Sequence, residues 1–77
     1  MTKKDYELIA RVLASRIRNT DRYISIASKQ NNPQALDMLV NEYNHYKYIA
    51  YDMATELQAE NSRFNRKMFL QACGLDY

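Results

Sequence analysis

Two segments of the chain carry apolar or small residues at alternating intervals of three and four, and the second segment reverses the first. The first series has intervals 4-3-4-3-4-3: Tyr6, Ala10, Leu13, Ile17, Thr20, Ile24 and Ala27. The second has intervals 3-4-3-4-3-4: Leu36, Leu39, Tyr43, Tyr46, Ala50, Met53 and Leu57. Such spacing is typical of helices that pack along a seam. The reversed order predicts an antiparallel helical hairpin.

Particular residues predict where the two long helices begin. Thr2 followed by Asp5 has the spacing of a capping box. Asn32 and Pro33 suit the start of the second helix, because asparagine caps a helix and proline is tolerated in the first turn. The 77 residues include a single glycine and a single proline, which favours long helices. The expected fold is therefore all-α, in one domain over residues 1–77, with long helices over about 3–29 and 33–60.

A short third helix is predicted over about 66–73. Asn65 precedes it as an N-cap, and Gly74 follows it as the left-handed residue that ends a helix. Because a two-helix hairpin buries little apolar surface, we expect this helix to cover one of its faces. The expected face carries bulky apolar residues: Leu8, Ile9, Val12, Ile49 and Met53.

The short helix is not long enough to reach the loop end of the hairpin, since seven or eight residues span roughly 12 Å. The apolar residues at that end are Tyr23, Ile26 and Met38. We expect them to stay uncovered, which predicts self-association of the chain through this end.

Four of the seven tyrosines lie within residues 43–51. Tyr43 and Tyr46 belong to the seam and are expected in the core. Tyr48 is expected to point away from the first helix. Tyr51 is expected on the flank opposite the third helix. The first helix presents two arginines, Arg11 and Arg18, on the same flank. Exposed phenol rings near guanidinium groups suit a protein interface. The same pattern also fits rings that lie flat along their own helix, or rings that stack on nucleotide bases.

A second, polar group of residues comprises Arg16, Asn19, Glu42 and His45. His45 and Tyr23 invite a catalytic interpretation, but a hairpin of this size offers little concavity for a substrate. We expect Arg16 and Glu42 to form an interhelical ion pair, and we expect no catalytic residue. The residues expected to contact a partner are Tyr48, Tyr51, Arg11, Arg18, Tyr23 and His45.

Charge and cysteine content restrict the remaining classes of function. The formal net charge of +2 is low for a protein that coats nucleic acid. Nucleic-acid or cyclic-nucleotide binding is therefore the alternative to protein binding. Cys73 is the single cysteine, which excludes an internal disulfide and fits a reducing compartment. His45 and Cys73 lie far apart in the sequence, so neither a metal nor a cofactor is expected.

The start of the chain resembles neither a signal peptide nor a membrane span. Lys3 and Lys4 lead directly into an amphipathic pattern, and no apolar run approaches the length that spans a bilayer. We therefore expect a cytoplasmic protein that does not enter the membrane.

The two ends of the chain resemble small phage and prophage proteins without an assigned activity. The resemblance lies in the starting segment MTKKDYELIA and in a terminal N-x-R-F-x-x-x-x-F-x-x-A-C-G pattern over residues 61–74. Ser62 stands where such relatives often have proline. The resemblance implies a non-enzymatic protein in the host cytoplasm that binds a host protein or complex, including inhibition of CRISPR or another defence system.

Overall fold

The computed structural model describes residues 2–75. It contains helices α1 (Lys3–Lys29), α2 (Pro33–Glu60) and α3 (Arg66–Ala72). Helices α1 and α2 form an antiparallel hairpin, and α3 packs against both. The molecule measures 45 × 18 × 17 Å, so its length is that of the hairpin. The predicted all-α fold is confirmed, and α3 ends at Ala72, one residue before the predicted end.

The predicted caps of the long helices are present. The Thr2 backbone N–H donates to Asp5 Oδ2 at 2.9 Å, and the Asp5 N–H donates to Thr2 Oγ1 at 3.4 Å. The hydrogen bond from the Thr2 backbone N–H, with a smaller contribution from the Thr2 side chain, lowers the pKa of the Asp5 carboxyl. Asn32 Oδ1 accepts from the Ala35 N–H at 3.2 Å and so caps α2. Between the helices, Asn31 has a φ of 52°, a left-handed conformation that asparagine tolerates better than most residues.

The seam between α1 and α2 follows the two alternating series. Every residue of both series is buried or half-buried. Thr20 is the buried polar residue among them, and its Oγ1 donates to the Arg16 carbonyl at 2.8 Å. Tyr43 and Tyr46 are half-buried against the core, as the seam predicts.

The ends of α3 also follow the sequence. Asn65 Oδ1 accepts from the Met68 N–H at 3.0 Å at the N-terminus. At the other end, Gly74 adopts a φ of 84°, and the Leu75 N–H donates to the Leu70 carbonyl at 3.0 Å. Leu75 is buried with Leu70 and Cys73. The chain therefore folds back over the last turn of α3 and closes the core.

The prediction of the face that α3 covers is wrong. Leu8, Val12 and Ile49, which α3 was expected to bury, are all exposed. Helix α3 instead lies on the side of Tyr51. The Arg66 guanidinium carbon is 5.9 Å from the centre of the Tyr51 ring, which shows this position. Tyr51 is half-buried there and does not lie on the flank opposite α3.

Small side chains explain this choice of face. Ala10, Ala50 and Ala54 are buried to 1% exposure or less, in one cluster with the residues of the α3 segment: Phe64, Phe69, Leu70, Cys73 and Leu75. The Phe64 ring packs against Tyr6 at 4.8 Å and against Phe69 at 5.5 Å. The buried alanines leave room for these rings against α1 and α2.

Enlarging the buried Ala54 is expected to disturb this packing. Ala54→Leu should lower the free energy of unfolding by about 1–3 kcal/mol, because a core at native density does not accept extra methylenes. Ala59→Leu is the matched control on the same helix, since Ala59 is exposed, and it should have little effect. Urea denaturation followed by circular dichroism measures both. Equal stability of the two variants would contradict the position of α3.

The left-handed turn after α3 gives a second prediction. Gly74→Ala should cost about 1 kcal/mol, because an alanine at positive φ is strained. No heavy atom lies within 4 Å of an added Cβ, so a steric clash contributes nothing. Gly74→Asn should cost less, since asparagine tolerates this conformation. Thermal denaturation compares the two variants, and a loss as large for asparagine as for alanine would show that strain is not the cause.

Candidate functional site

The face of the hairpin opposite α3 exposes most of the large apolar side chains. At about 100° per residue, α1 and α2 each turn one flank toward this face, which we call the open face. Its apolar residues are Leu8, Ile9, Val12, Tyr23 and Ile26 of α1, and Met38, Ile49 and Met53 of α2. Apart from Ile9 and Met53, which pack partly on the core, each of these residues is between 43% and 69% exposed. Six large apolar side chains are therefore exposed on one face of the hairpin.

On the side of the hairpin that carries α3, the surface that α3 leaves uncovered is more polar than the open face. Toward the loop end, α1 presents Arg18, Asp21 and Ser25 on that side, and all three are exposed. Val40 of α2 is a large apolar residue there, at 40% exposure. Uncovered surface on the α3 side is thus mainly polar, whereas the open face is apolar along much of its length. Such a contrast is typical of a surface that another molecule covers.

The middle of the open face is polar. Arg16, Asn19, Glu42 and His45 lie there by helical position, and all four are exposed. Within residues 2–75 no ion pair joins Arg16 to Glu42, so the expected interhelical pair is not formed. The open face therefore consists of two apolar regions on either side of a polar centre.

The six residues predicted to contact a partner are divided among separate surfaces. Tyr23 and His45 lie on the open face. Tyr48 is 58% exposed on the edge of α2 farthest from α1, since it is two residues, or about 200°, from the buried Ala50. Tyr51 lies beside α3.

Arg11 and Arg18 are exposed on α1. Each follows a buried seam residue, Ala10 or Ile17, so each is turned about 100° from the seam, on the flank that carries α3. The structure therefore does not bring Tyr48 and Tyr51 together with these arginines as one exposed patch.

A groove of about 550 Å³ lies between the first turns of α1 and the α3 segment. The buried rings of Phe64 and Phe69 line it together with exposed charged residues, among them Lys3, Glu7 and Arg63. None of the described residues that line it is a serine, cysteine or histidine. The groove thus offers an apolar contact area with charged neighbours but lacks the usual pairing of a nucleophile with a histidine base.

Cys73 follows the last residue of α3 and is fully buried. Burial raises the pKa of its thiol to about 11, so the reactive thiolate is disfavoured. In the part of the chain that the structure describes, no three His, Cys, Asp or Glu side chains gather as a metal site. None of the helices within residues 2–75 has the length and apolar character needed to cross a membrane.

No family model, curated protein or solved structure matches this chain.

The buried thiol predicts how stability depends on pH. The unfolded thiol ionises near pH 9.0 and the folded thiol near pH 11, so the stability from this group is complete below pH 9 and is lost as the pH rises toward 11. The difference in unfolding free energy between the wild type and Cys73→Ala should shrink by about 2 kcal/mol between pH 8 and pH 10.5. Tyrosine ionisation is common to both proteins and cancels. A difference that does not change with pH would contradict the burial of the thiol.

Proposed function

We propose that this chain is a non-enzymatic protein that acts by binding another protein chain through its open face. The supporting observation is the exposure of Leu8, Val12, Tyr23, Ile26, Met38 and Ile49 on one face of the hairpin. Fully burying a large exposed apolar side chain contributes roughly 1.5–3 kcal/mol, and because these six side chains are about half exposed, each contributes about half of that when a partner covers it. A partner that covers even half of this face therefore gains several such contributions, together with hydrogen bonds to the polar centre.

The composition of the open face favours protein over nucleic acid. Phosphate binding requires an excess of lysine and arginine, whereas the open face carries Arg16 together with the carboxylates Glu42 and Glu56 by helical position. The alternative of nucleic-acid or cyclic-nucleotide binding relied on Tyr48 and Tyr51 as stacking rings. The Tyr51 ring already carries the Arg66 guanidinium over its face, which leaves that alternative with less support.

The biological role that we propose follows from the resemblance at the two chain ends. Small phage proteins of this kind bind and redirect a host assembly, and inhibition of a CRISPR complex or another defence system in the host cytoplasm is one such role. Tyr48, Arg11 and Arg18 are exposed outside the open face. They provide further contacts for a host partner.

Photo-crosslinking at two matched positions tests protein binding. Ile49 and Val40 are 47% and 40% exposed, and nine residues along one helix place them about half a turn apart in direction. With benzoyl-phenylalanine at position 49, irradiated cells that express the chain should yield a covalent adduct with a protein. The same reagent at position 40 should yield far less.

A second substitution tests whether formation of the adduct depends on the apolar residues of the open face. Val12→Asp, in the chain that carries the photo-reactive group at position 49, should lower the adduct yield about tenfold, because a partner would bury an unpaired carboxylate. Circular dichroism should show unchanged helix content, since Val12 lies outside the core. Equal adduct yields from positions 49 and 40, or no adduct from either, would contradict protein binding at the open face.

A further inference from the structure

We infer that the partner on the open face is a second copy of this chain, which lies antiparallel with α1 against α1 and forms a four-helix bundle. This inference rests on the proposed function and specifies the chain that is bound. Self-association was expected at the loop end alone, through Tyr23, Ile26 and Met38. The structure extends the available surface along the whole face, because α3 lies on the other side.

A second heptad series on α1 supports this arrangement. It runs along the open face with intervals 3-4-3-4-3: Ile9, Val12, Arg16, Asn19, Tyr23 and Ile26. The series reads apolar, apolar, polar, polar, apolar, apolar, and is therefore the same in both directions. When two copies lie antiparallel, Ile9 meets Ile26 and Val12 meets Tyr23.

The same register pairs the polar residues of the two copies. Arg16 of one copy lies opposite Asn19 of the other, and the guanidinium N–H groups can donate to the amide oxygen. A two-fold axis at the middle of α1 makes each contact twice, as an isologous interface requires. Along α1, this register pairs apolar residues with apolar residues and a hydrogen-bond donor with an acceptor. The α1 surface is therefore complementary to the same surface of a second copy.

The surface area of the chain agrees with a dimer. The chain exposes 5850 Å², whereas a compact monomer of 9.1 kDa is expected to expose about 4900 Å². The excess of about 1000 Å² is similar to the 800 Å² or so that each partner buries in a standard protein interface. A single further copy is thus of the right size to cover the open face.

Sedimentation of the purified chain tests whether the partner is a second copy. The wild type should sediment as a dimer at micromolar concentration. Val12→Asp should raise the dimer dissociation constant at least about tenfold with unchanged helix content. Val40→Asp, on the other side of the hairpin, should leave it unchanged. A monomeric wild type overturns the inference. If that monomer still forms an adduct with a different protein from position 49, the proposed function holds and only the self-partner fails.

Disulfide formation between two single variants tests the register. Val12→Cys mixed with Tyr23→Cys should form a mixed disulfide under mild oxidation, because the register places these positions opposite each other. Each variant alone should form far less covalent dimer, since its two cysteines would lie about 16 Å apart along the bundle. The native Cys73 is buried and is common to both variants. Disulfides within each single variant, with none formed preferentially in the mixture, would overturn the antiparallel pairing of α1.

Discussion

The docking of the α3 segment onto the alanine-lined side of the hairpin determines the rest of the structure. Phe64, Phe69 and Leu70 are buried in one cluster with Ala10 and Ala54, and no other part of the described chain combines so many buried rings. The interaction depends on space: a short helix gains packing area by inserting large side chains where its neighbours are small. Because a chain of this size builds a single small core, occupation of one side of the hairpin leaves the other side in water.

The open face is the direct consequence of that docking. Branched and long apolar side chains such as Val12, Ile49 and Met38 remain exposed, although Val12 belongs to a series on α1 that is spaced as regularly as the buried seam. Both features have one explanation if the face is an interface: the apolar residues supply the area, and the polar centre with Arg16 and Asn19 selects the register. Tyr48 and the arginines of α1 then remain on the outside of such an assembly for other contacts.

Local signals and periodic patterns predicted most of the fold. The capping groups Thr2, Asn32 and Asn65 marked helix starts, and the alternating intervals identified the seam, because capping and heptad packing depend on residues close in sequence. The face of α3 was not predictable from hydrophobicity, which favours the bulky side. Steric fit decides it, and the alanines at 10, 50 and 54 were the signal. Exposure was predicted in part: Tyr23 and Tyr48 are exposed as expected, whereas Tyr51 was misplaced together with α3.

The position of α3 is tested most directly by nuclear Overhauser contacts from the Phe64 and Phe69 rings to assigned methyl groups. We predict cross-peaks to the methyls of Ala10 and Ala54, since these residues are buried in one cluster with the rings. Cross-peaks from either ring to the methyls of Val12 and Ile49, with none to the two alanines, would contradict the account, because α3 would then cover the face that we describe as open.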